Sequence, residues 1–478
     1  MAATEEVEEP RYRRLASDLE KSIEDGVFRP GEKIPSVRAT SRSHRVSVST
    51  VLAAYALLED KGCIEGKRRS GYFVKVPKER GPAPTITRHR AKPVEVNTSS
   101  IHDAVMRAVS DPDVVPFGAA IPGPEMLPFR KLTTYLNSRA REMGGAAFTY
   151  STAPGALELR VQIAKRCQVE GTSLSPEDIV CTLGASEALV LALNSVADAG
   201  DLIAVESPTY FGVLNLIRRM GYRAIEVSTH PQTGLDLNSL QEVLDQHEVA
   251  AVFVQPNFQN PMGGLMPVER KEAMVKLCTE RGVPIIEDEI FGDLNHDGTR
   301  PPSLKAFDRE GMVIQCGGYS KTLSPGMRVG WMAPGRYLGQ VMSLKNSLSP
   351  SNETLSELAI ADFLRSGGVD RHLRSVRSTY FKQMHLMRNV IFDCFPEGTT
   401  VTEPKGGFLL WIELPEGADT EKLAVAAFRE KISIVPGSIF SASCRFQNCL
   451  RLNCGYEWND RLENALRKLG RLACRQLE

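Results

Sequence analysis

A lysine flanked by hydroxyl residues and glycines is the most chemically suggestive feature of this sequence. Lys321 lies between Ser320 and Thr322 in the stretch CGGYSKTLSPGMRVGW, which also contains Arg328. Partial burial and a neighbouring cation favour the neutral form of such an amine, and a neutral lysine can condense with an aldehyde as a Schiff base. A simple polar turn accounts equally well for these residues alone, so the rest of the chain must decide.

Three more polar groups follow segments that resemble buried strands. Gly184, Ala185 and Ser186 come after IVCTL and open a predicted helix, where backbone N–H groups and a hydroxyl can bind phosphate. Asn260 comes shortly after AVFVQP, and Asp288 comes directly after PIIE. Each group also has an ordinary structural explanation, as a helix opening, a turn former or a turn cap.

Together these groups match the needs of one cofactor. Pyridoxal 5′-phosphate (PLP) uses a lysine for its aldehyde, an anion beside its ring nitrogen, a donor for its phenolate oxygen and a phosphate cradle. The chain offers all four in the order phosphate cradle, amide, acid and lysine. The joint pattern therefore predicts a PLP site more strongly than any one residue does.

The elements that must position these groups form an α/β pattern. Short apolar segments alternate with helical stretches, which predicts a mostly parallel sheet wrapped by helices, with its ligands at the carboxyl ends of the strands. The predicted strands are residues 179–182, 202–205, 223–227, 250–254, 285–287 and 313–316.

Length and composition set the outer limits. With 478 residues, 42% of them hydrophobic, the chain can form two or three cores. Its ten cysteines show neither a C-x-x-C pair nor metal-ligand spacing, which predicts reduced structural thiols, no metal site and a cytoplasmic location. No apolar run has the length of a membrane span, and the acidic start of the sequence has no apolar targeting segment.

The first part of the chain has a different character. The formal net charge of the chain is zero, but residues 11–92 contain 19 Lys and Arg against 9 Asp and Glu. The pattern there predicts two helices, a third helix that begins at Ser47 or Ser49 and ends near Lys61, and two short strands around a basic turn. This order is typical of a winged helix-turn-helix that binds double-stranded DNA, although a small three-helix interaction domain is the alternative.

The segment GVFRPGEKIPSVRATSRSHRVSVSTVLAAYALLEDKGCIEGKRRSGYFV resembles the DNA-binding head of GntR-family regulators. One departure is Val48, since many relatives carry an arginine there, so Arg38 and Arg45 are expected to read more of the bases. The resemblance implies DNA contacts by the following residues: Arg38, Arg45, Ser47, Ser49, Thr50, Arg68, Arg69 and Gly71.

The rest of the chain resembles fold type I aminotransferases, through phrases such as ESPTYFG, QPNFQNPMGG, EDEIFGDL and CLRLNCG. Behind a GntR head, this body is identified as a member of the MocR subfamily. We expect a winged helix-turn-helix at 11–78, a Pro-rich linker at 79–114 and a PLP-binding body at 115–478 with a large and a small subdomain.

The resemblance also implies residue roles. Lys321 would bind the cofactor aldehyde, Asp288 would pair with the ring nitrogen, Asn260 would bond the phenolate oxygen and Tyr210 would stack on the ring. Arg451 would bind a substrate carboxylate, for which an arginine fork is well suited. The residues expected around the phosphate are Gly184, Ala185, Ser186, Ser320, Arg328 and, from the partner subunit of a homodimer, Tyr150.

Two departures affect the expected cofactor site. Phe291 replaces a tyrosine that in many relatives donates to the phenolate oxygen, and Gly318 replaces a residue whose hydroxyl often helps to hold the phosphate. Without the tyrosine, the lysine-bound cofactor should stay protonated to higher pH. Both changes fit a sensor better than a fast enzyme.

Three functions remain open at this point. The first is a DNA-binding transcription regulator whose body senses PLP, an amino acid or an amine. The second is a working PLP-dependent aminotransferase with an attached DNA-binding domain. The third is a repressor that uses its body only to dimerise, against which Lys321 and Asp288 argue, because a platform needs neither.

Overall fold

The computed structural model describes residues 10–25, 27–28, 31–67, 70–75, 83–85, 91–96 and 108–478. Arg68 and Arg69, which were predicted to contact DNA, lie outside these residues, and so does much of the predicted linker. Contacts divide the chain into one compact unit of residues 1–81 with 382–394 and a second unit of 82–381 with 395–478. The three-part domain division of the sequence stays a prediction.

The part of the first unit that precedes residue 82, called the N-terminal unit below, has in its described residues three helices and a hairpin: α1 Arg11–Glu24, α2 Val37–Ser43, α3 Val48–Asp60, β1 Ile64–Lys67 and β2 Gly71–Val74. The Ser36 hydroxyl accepts from the Ala39 N–H and begins α2, and the strands pair antiparallel. Their apolar faces meet in one core, formed by Leu15, Ala16, Leu19, Ile34, Val51, Ala54, Tyr55, Leu58, Ile64 and Val74. This is the element order that the sequence predicts.

The second unit is built on a large sheet whose strands follow the order β3-β8-β7-β10-β11-β12-β13-β6, with β9 paired to β8. The five strands from β8 to β12 in this order run parallel, and β13 is antiparallel to both of its neighbours. The bounds are β3 Pro93–Val94, β6 Val180–Leu183, β7 Leu202–Ser207, β8 Arg223–His230, β9 Gly234–Leu235, β10 Ala251–Val254, β11 Ile285–Asp288, β12 Val313–Gly318 and β13 Val329–Ala333.

A second, antiparallel sheet has the order β15-β16-β19-β18, and two short strand pairs, β14-β5 and β17-β4, complete the β structure of the described residues. The bounds are β4 Val115–Pro116, β5 Ser151–Thr152, β14 Ser351–Asn352, β15 Thr400–Val401, β16 Leu409–Glu413, β17 Ile432–Ser433, β18 Val435–Pro436 and β19 Cys449–Asn453. On β19, Arg451 lies opposite Trp411 of β16.

The remaining helices are α4 Phe129–Met143, α5 Leu157–Val169, α6 Ala185–Val196, α7 Phe211–Arg219, α8 Leu237–Gln246, α9 Val268–Glu280, α10 Leu338–Leu348, α11 Thr354–Arg365, α12 Gly368–Cys394, α13 Thr420–Arg429 and α14 Asp460–Leu477. In the part of the chain that the structure describes, none of the helices combines the length and apolarity needed to cross a bilayer.

The large sheet is covered on both faces, as its apolar strands predict. Along β7, Ile203 and Val205 belong to one buried cluster, whereas Leu202 and Ala204 belong to another. Successive side chains of a strand point to opposite faces, so both faces are buried under apolar side chains. The polar side chains that come directly after these strands in the sequence therefore lie at the carboxyl ends of the strands, outside the apolar layers.

Candidate cofactor and ligand site

The carboxyl ends of the central strands bring the predicted site residues together. Asp288 ends β11 and pairs in register with Cys316 of β12, the strand that leads to Lys321. The segment after β10 carries Asn260, and the segment after β7 carries Tyr210. The sequence predicted this convergence.

Asp288 is held by two donors. Gln255 Nε2 lies 2.7 Å from Asp288 Oδ2, and the Ile290 N–H donates to Oδ1 at 3.1 Å. Burial raises the pKa of Asp288 to about 6, and these two hydrogen bonds limit the rise. Asp288 is thus a desolvated carboxyl group that is ionised at neutral pH.

Gln255 and Glu206 were not predicted as site residues. The Gln255 side-chain oxygen accepts from the Asn260 N–H at 3.1 Å, so one amide joins Asp288 to Asn260. The Gln255 N–H donates to Glu206 Oε2 at 2.9 Å. Burial raises the pKa of Glu206 to about 8, so this carboxyl is protonated at neutral pH. The position of both residues at strand ends was the available sequence signal.

Lys321 is a partly buried amine that lies close to Asp288 and Arg451. Its Nζ donates to the Ala120 carbonyl oxygen at 2.6 Å. Burial, followed by the positive charges of Arg451 and Arg328, lowers the pKa of Lys321 to about 8, while Asp288 opposes the shift. A larger fraction of this lysine than of an ordinary lysine is therefore neutral at pH 7.

Arg451 is completely buried. It donates to Asn260 Oδ1 at 2.9 Å and to the Gly118 carbonyl, and its guanidinium lies over the rings of Phe211 and Phe440, 5.8 and 5.1 Å from their centroids. Burial lowers its pKa to about 9. Among the described residues no carboxylate forms an ion pair with it, and its buried Nε has no hydrogen-bond partner.

The predicted phosphate cradle lies at the start of α6. Gly184 precedes the helix with a φ of +77°, and Arg328 Nη2 donates to the Leu183 carbonyl at 3.1 Å. A Cβ at Gly330 would lie 2.4 Å from the Gly184 carbonyl carbon, so only glycine in β13 lets this turn approach so closely. A Cβ at Gly318 would lie 3.4 Å from the Ala185 nitrogen, beside the same turn.

The other cradle residues differ in exposure: Ser320 is buried, whereas Ser186 and Arg328 are exposed. Phe291 is buried and packs edge-on against Phe408, with ring centroids 5.5 Å apart. Tyr150 is not joined to the site by a hydrogen bond or ring contact in the described part of the chain, and its side chain is 83% exposed. Its predicted role in a partner subunit stays a prediction.

The predicted DNA contacts that the structure describes lie in the N-terminal unit. Arg38 on α2 and Arg45 before α3 are exposed, and Arg45 has a φ of +51°. Gly71 begins β2 with a φ of +98°. The structure therefore leaves both arginines accessible, and their contact with DNA stays a prediction.

Comparisons with known proteins agree with both parts. Residues 127–469 match the family Aminotransferase class I and II, and residues 11–74 match Bacterial regulatory proteins, gntR family. The chain is 38% identical to YjiR, an uncharacterised HTH-type transcriptional regulator of Escherichia coli, over 98% of this chain and 100% of that protein. It is 30% identical to a 2-aminoadipate transaminase of Thermus thermophilus, over 79% of this chain and 94% of that enzyme.

Solved structures give the same picture. LysN, an α-aminoadipate aminotransferase of Thermus thermophilus, matches with a TM-score of 0.74 at 29% identity, over 79% of this chain and 95% of that one. These matches confirm a GntR winged helix-turn-helix joined to a fold type I aminotransferase body. The chain belongs to the MocR-like HTH-type transcriptional regulators, in which these two parts are fused.

Proposed function

We propose that this regulator binds PLP at Lys321 and senses an amino acid or amine there, and that the occupied body changes how the head binds its operator. The observation that carries this proposal is the set of desolvated charges around one pocket: the Lys321 amine, the Asp288 carboxylate and the Arg451 guanidinium. Desolvating a charge is costly, and a body that served only for dimerisation would gain nothing from three of them.

The residues present fit PLP in number and chemistry. Lys321 supplies an amine whose pKa is lowered to about 8, Asp288 an anion for a ring nitrogen, and Asn260 an amide for a phenolate. The Gly184–Ala185 turn supplies a helix start beside Arg328 for a phosphate. When bound, PLP supplies an aldehyde that condenses with amines and a ring that accepts electrons.

The rest of the pocket favours a ligand with a carboxylate. Arg451 offers a planar pair of donors and packs against aromatic rings. Among the described residues, its hydrogen-bond acceptors are oxygens of neutral groups. A carboxylate would gain two charge-assisted hydrogen bonds by replacing the carbonyl of Gly118. LysN is described as a complex with N-(5′-phosphopyridoxyl)-L-leucine, so that relative accommodates a cofactor joined to an amino acid.

A homodimer is part of this proposal. Phe148 and Tyr150 are 88% and 83% exposed, and Leu157, which follows in the chain, is 52% exposed. Such neighbouring large apolar side chains are typical of a surface that a partner covers. A second copy of this chain would bury them and bring two DNA-binding heads into one assembly in the cytoplasm.

A working aminotransferase is the second candidate, and the Arg451 site supports it as well as it supports a sensor, because catalysis and sensing need the same carboxylate contact. The proteins matched over the body include a 2-aminoadipate transaminase. The missing hydroxyl groups at Phe291 and Gly318 fit a sensor better, whereas Arg451 suits both candidates, so a measurement must decide between them.

One experiment on the full-length protein distinguishes them. PLP-loaded protein is mixed with a panel of amino acids. Its visible absorption is recorded, together with its affinity for a DNA duplex that the protein has selected from a random library. A sensor changes its spectrum without losing the cofactor's aldehyde form and changes its DNA affinity with the same ligand. Conversion to the amino form, reversed by a keto acid, would establish the aminotransferase, and a DNA affinity that ignores every ligand would contradict the sensor.

A further inference from the structure

Helix α3 is apolar on two opposite faces. Val51, Ala54, Tyr55 and Leu58 are buried in the core of the N-terminal unit. The outer face is formed, at helical spacing, by Val48, Leu52, Ala53 and Ala56, with Ser49 beside them at the start of the helix, and all five are exposed. Val48 and Leu52 are 47% and 46% exposed. A helix with apolar residues all round is normally buried, so this outer face calls for a partner.

The hydroxyl groups at the start of α3 are already engaged with one another. Ser47 Oγ accepts from the Thr50 N–H at 3.1 Å as the helix cap. The same oxygen lies 2.8 Å from Ser49 Oγ and 2.7 Å from Thr50 Oγ1. These groups hold the helix start together, which leaves the methyl groups of Val48 and Leu52 as the most prominent features of the outer face.

The surroundings of this face are basic. Arg38 and Arg42 on α2 are exposed, and so are His44 and Arg45 in the turn that leads to α3. The outer face of α3 carries no charge between Val48 and Ala56. An uncharged helix face bordered by exposed cations suits a polyanion whose interior is partly apolar, and duplex DNA has this character.

We propose that Val48 and Leu52 read the C5-methyl groups of thymines in the major groove, so that α3 selects A·T pairs. The thymine methyl is the apolar group that base pairs present in this groove, and apolar side chains recognise it by contact. The neighbouring arginines position the helix on phosphates and guanines. This inference rests on the DNA-binding head and not on the proposed cofactor or ligand.

The test uses full-length protein and DNA that the protein itself selects from a random duplex library. Each thymine of the selected duplex is then replaced singly by deoxyuridine, which removes only the methyl group. At one or more positions we expect the affinity to fall about threefold to tenfold, the range set by one or two buried methyl contacts. In Val48→Ala, the difference between thymine and uracil should disappear at one position, and in Leu52→Ala at another.

Two further variants sharpen the result. Val48→Arg should change the preferred pair at its position from A·T to G·C, because arginine pairs with guanine through two hydrogen bonds. Val27→Ala is the matched control, since Val27 is 65% exposed but lies outside α3. It should keep the full thymine preference. Thermal unfolding of every variant checks that the head remains folded.

Two outcomes overturn the inference. A selected duplex that binds equally well with uracil at every position shows that the methyl groups are not read. If Val48 and Leu52 are already protected from solvent in the DNA-free protein, and DNA binding does not change that protection, the outer face is covered by a second copy or another part of the chain. In both cases the proposed ligand sensing would stand or fall separately, on whether amino acids change the affinity for the same duplex.

Discussion

The two functional regions of this protein depart from the usual distribution of side chains in opposite directions. Helix α3 carries apolar groups on its solvent side, with Val48 and Leu52 about half exposed. The pocket of the body instead places charges inside, with Arg451 fully buried and Asp288 at 4% exposure. An exposed apolar face has only a small unfavourable free energy, which a partner removes by covering it. A buried charge, in contrast, must be stabilised by its neighbours at all times.

This difference determines how each region can be altered. The pocket is a connected network, in which Gln255 joins Asp288 to Asn260 and Asn260 joins Arg451. A change at one residue is therefore felt by the others. The residues on the outer face of α3 project independently, so their substitutions should act one base position at a time.

The largest effect is expected in the pocket, from Lys321→Ala. Removing the amine should abolish covalent capture of PLP, because no other group in the described pocket is an amine with a lowered pKa. The measurement is the visible absorption of the loaded protein, together with the mass gained after borohydride reduction. Lys276→Ala, at a lysine whose side chain is 75% exposed, is the control and should keep both signals. An adduct of the same mass in Lys321→Ala would place the anchor elsewhere.

A smaller effect, confined to DNA, is expected from Arg38→Ala. If this exposed arginine contacts a base, binding to the selected duplex should weaken about tenfold or more and the preference at one position should relax. The absorption of bound PLP should not change. A uniform loss across all sequences, with a reduced salt dependence, would mean that Arg38 contacts a phosphate. Unaltered affinity and specificity would remove it from the interface.

The smallest effect is expected from Gln255→Leu, which takes one donor from the Asp288 carboxylate. Losing a hydrogen bond to the charged form raises a carboxyl pKa, so the pKa of Asp288 should move upward from about 6. A protonated Asp288 cannot pair with a protonated ring nitrogen. PLP affinity should thus begin to fall at a higher pH than in the wild type, with a loss of about threefold to tenfold at pH 7.

The control for this prediction is Gln259→Leu. Gln259 belongs to the same segment, but its amide bonds the Pro208 carbonyl and the Met262 N–H instead of Asp288. The pH profile of PLP affinity is the deciding measurement. Identical profiles for the wild type and Gln255→Leu would show that Gln255 does not tune the carboxyl.

Much of the large sheet and its site was predictable, because local patterns specify them. The strands appear where apolar runs were found, although β8 and β12 extend to His230 and Gly318, beyond the predicted ends at 227 and 316. Asp288 and Lys321 were predicted to lie near each other because strand ends meet at one edge of a parallel sheet, and the structure places them so. These inferences need only the neighbours of each residue in the sequence.

The remaining details were not predictable, because they depend on pairs far apart in the chain. Lys321 and its acceptor Ala120 are separated by 201 positions, and Arg451 and Gly118 by 333. Nothing in the composition around Gly118 indicates that its carbonyl meets a buried guanidinium. Likewise, the Ser47 hydroxyl could be predicted as a cap, but its contacts with Ser49 and Thr50 depend on rotamers that the sequence does not specify.

The backbone of residues 118–120 accepts a hydrogen bond from each of two cations in the pocket. The Gly118 carbonyl accepts from Arg451 and the Ala120 carbonyl accepts from Lys321, so one short stretch of backbone contacts both cations. A group bound at Lys321 would replace only the contact to the Ala120 carbonyl, and a carboxylate bound at Arg451 would replace only the contact to the Gly118 carbonyl. The stretch continues from β4, where the Val115 N–H donates to the Lys431 carbonyl, and the Ile121 N–H donates to its Ala119 carbonyl. Binding at the lysine and binding at the arginine would therefore act on the same three residues of backbone.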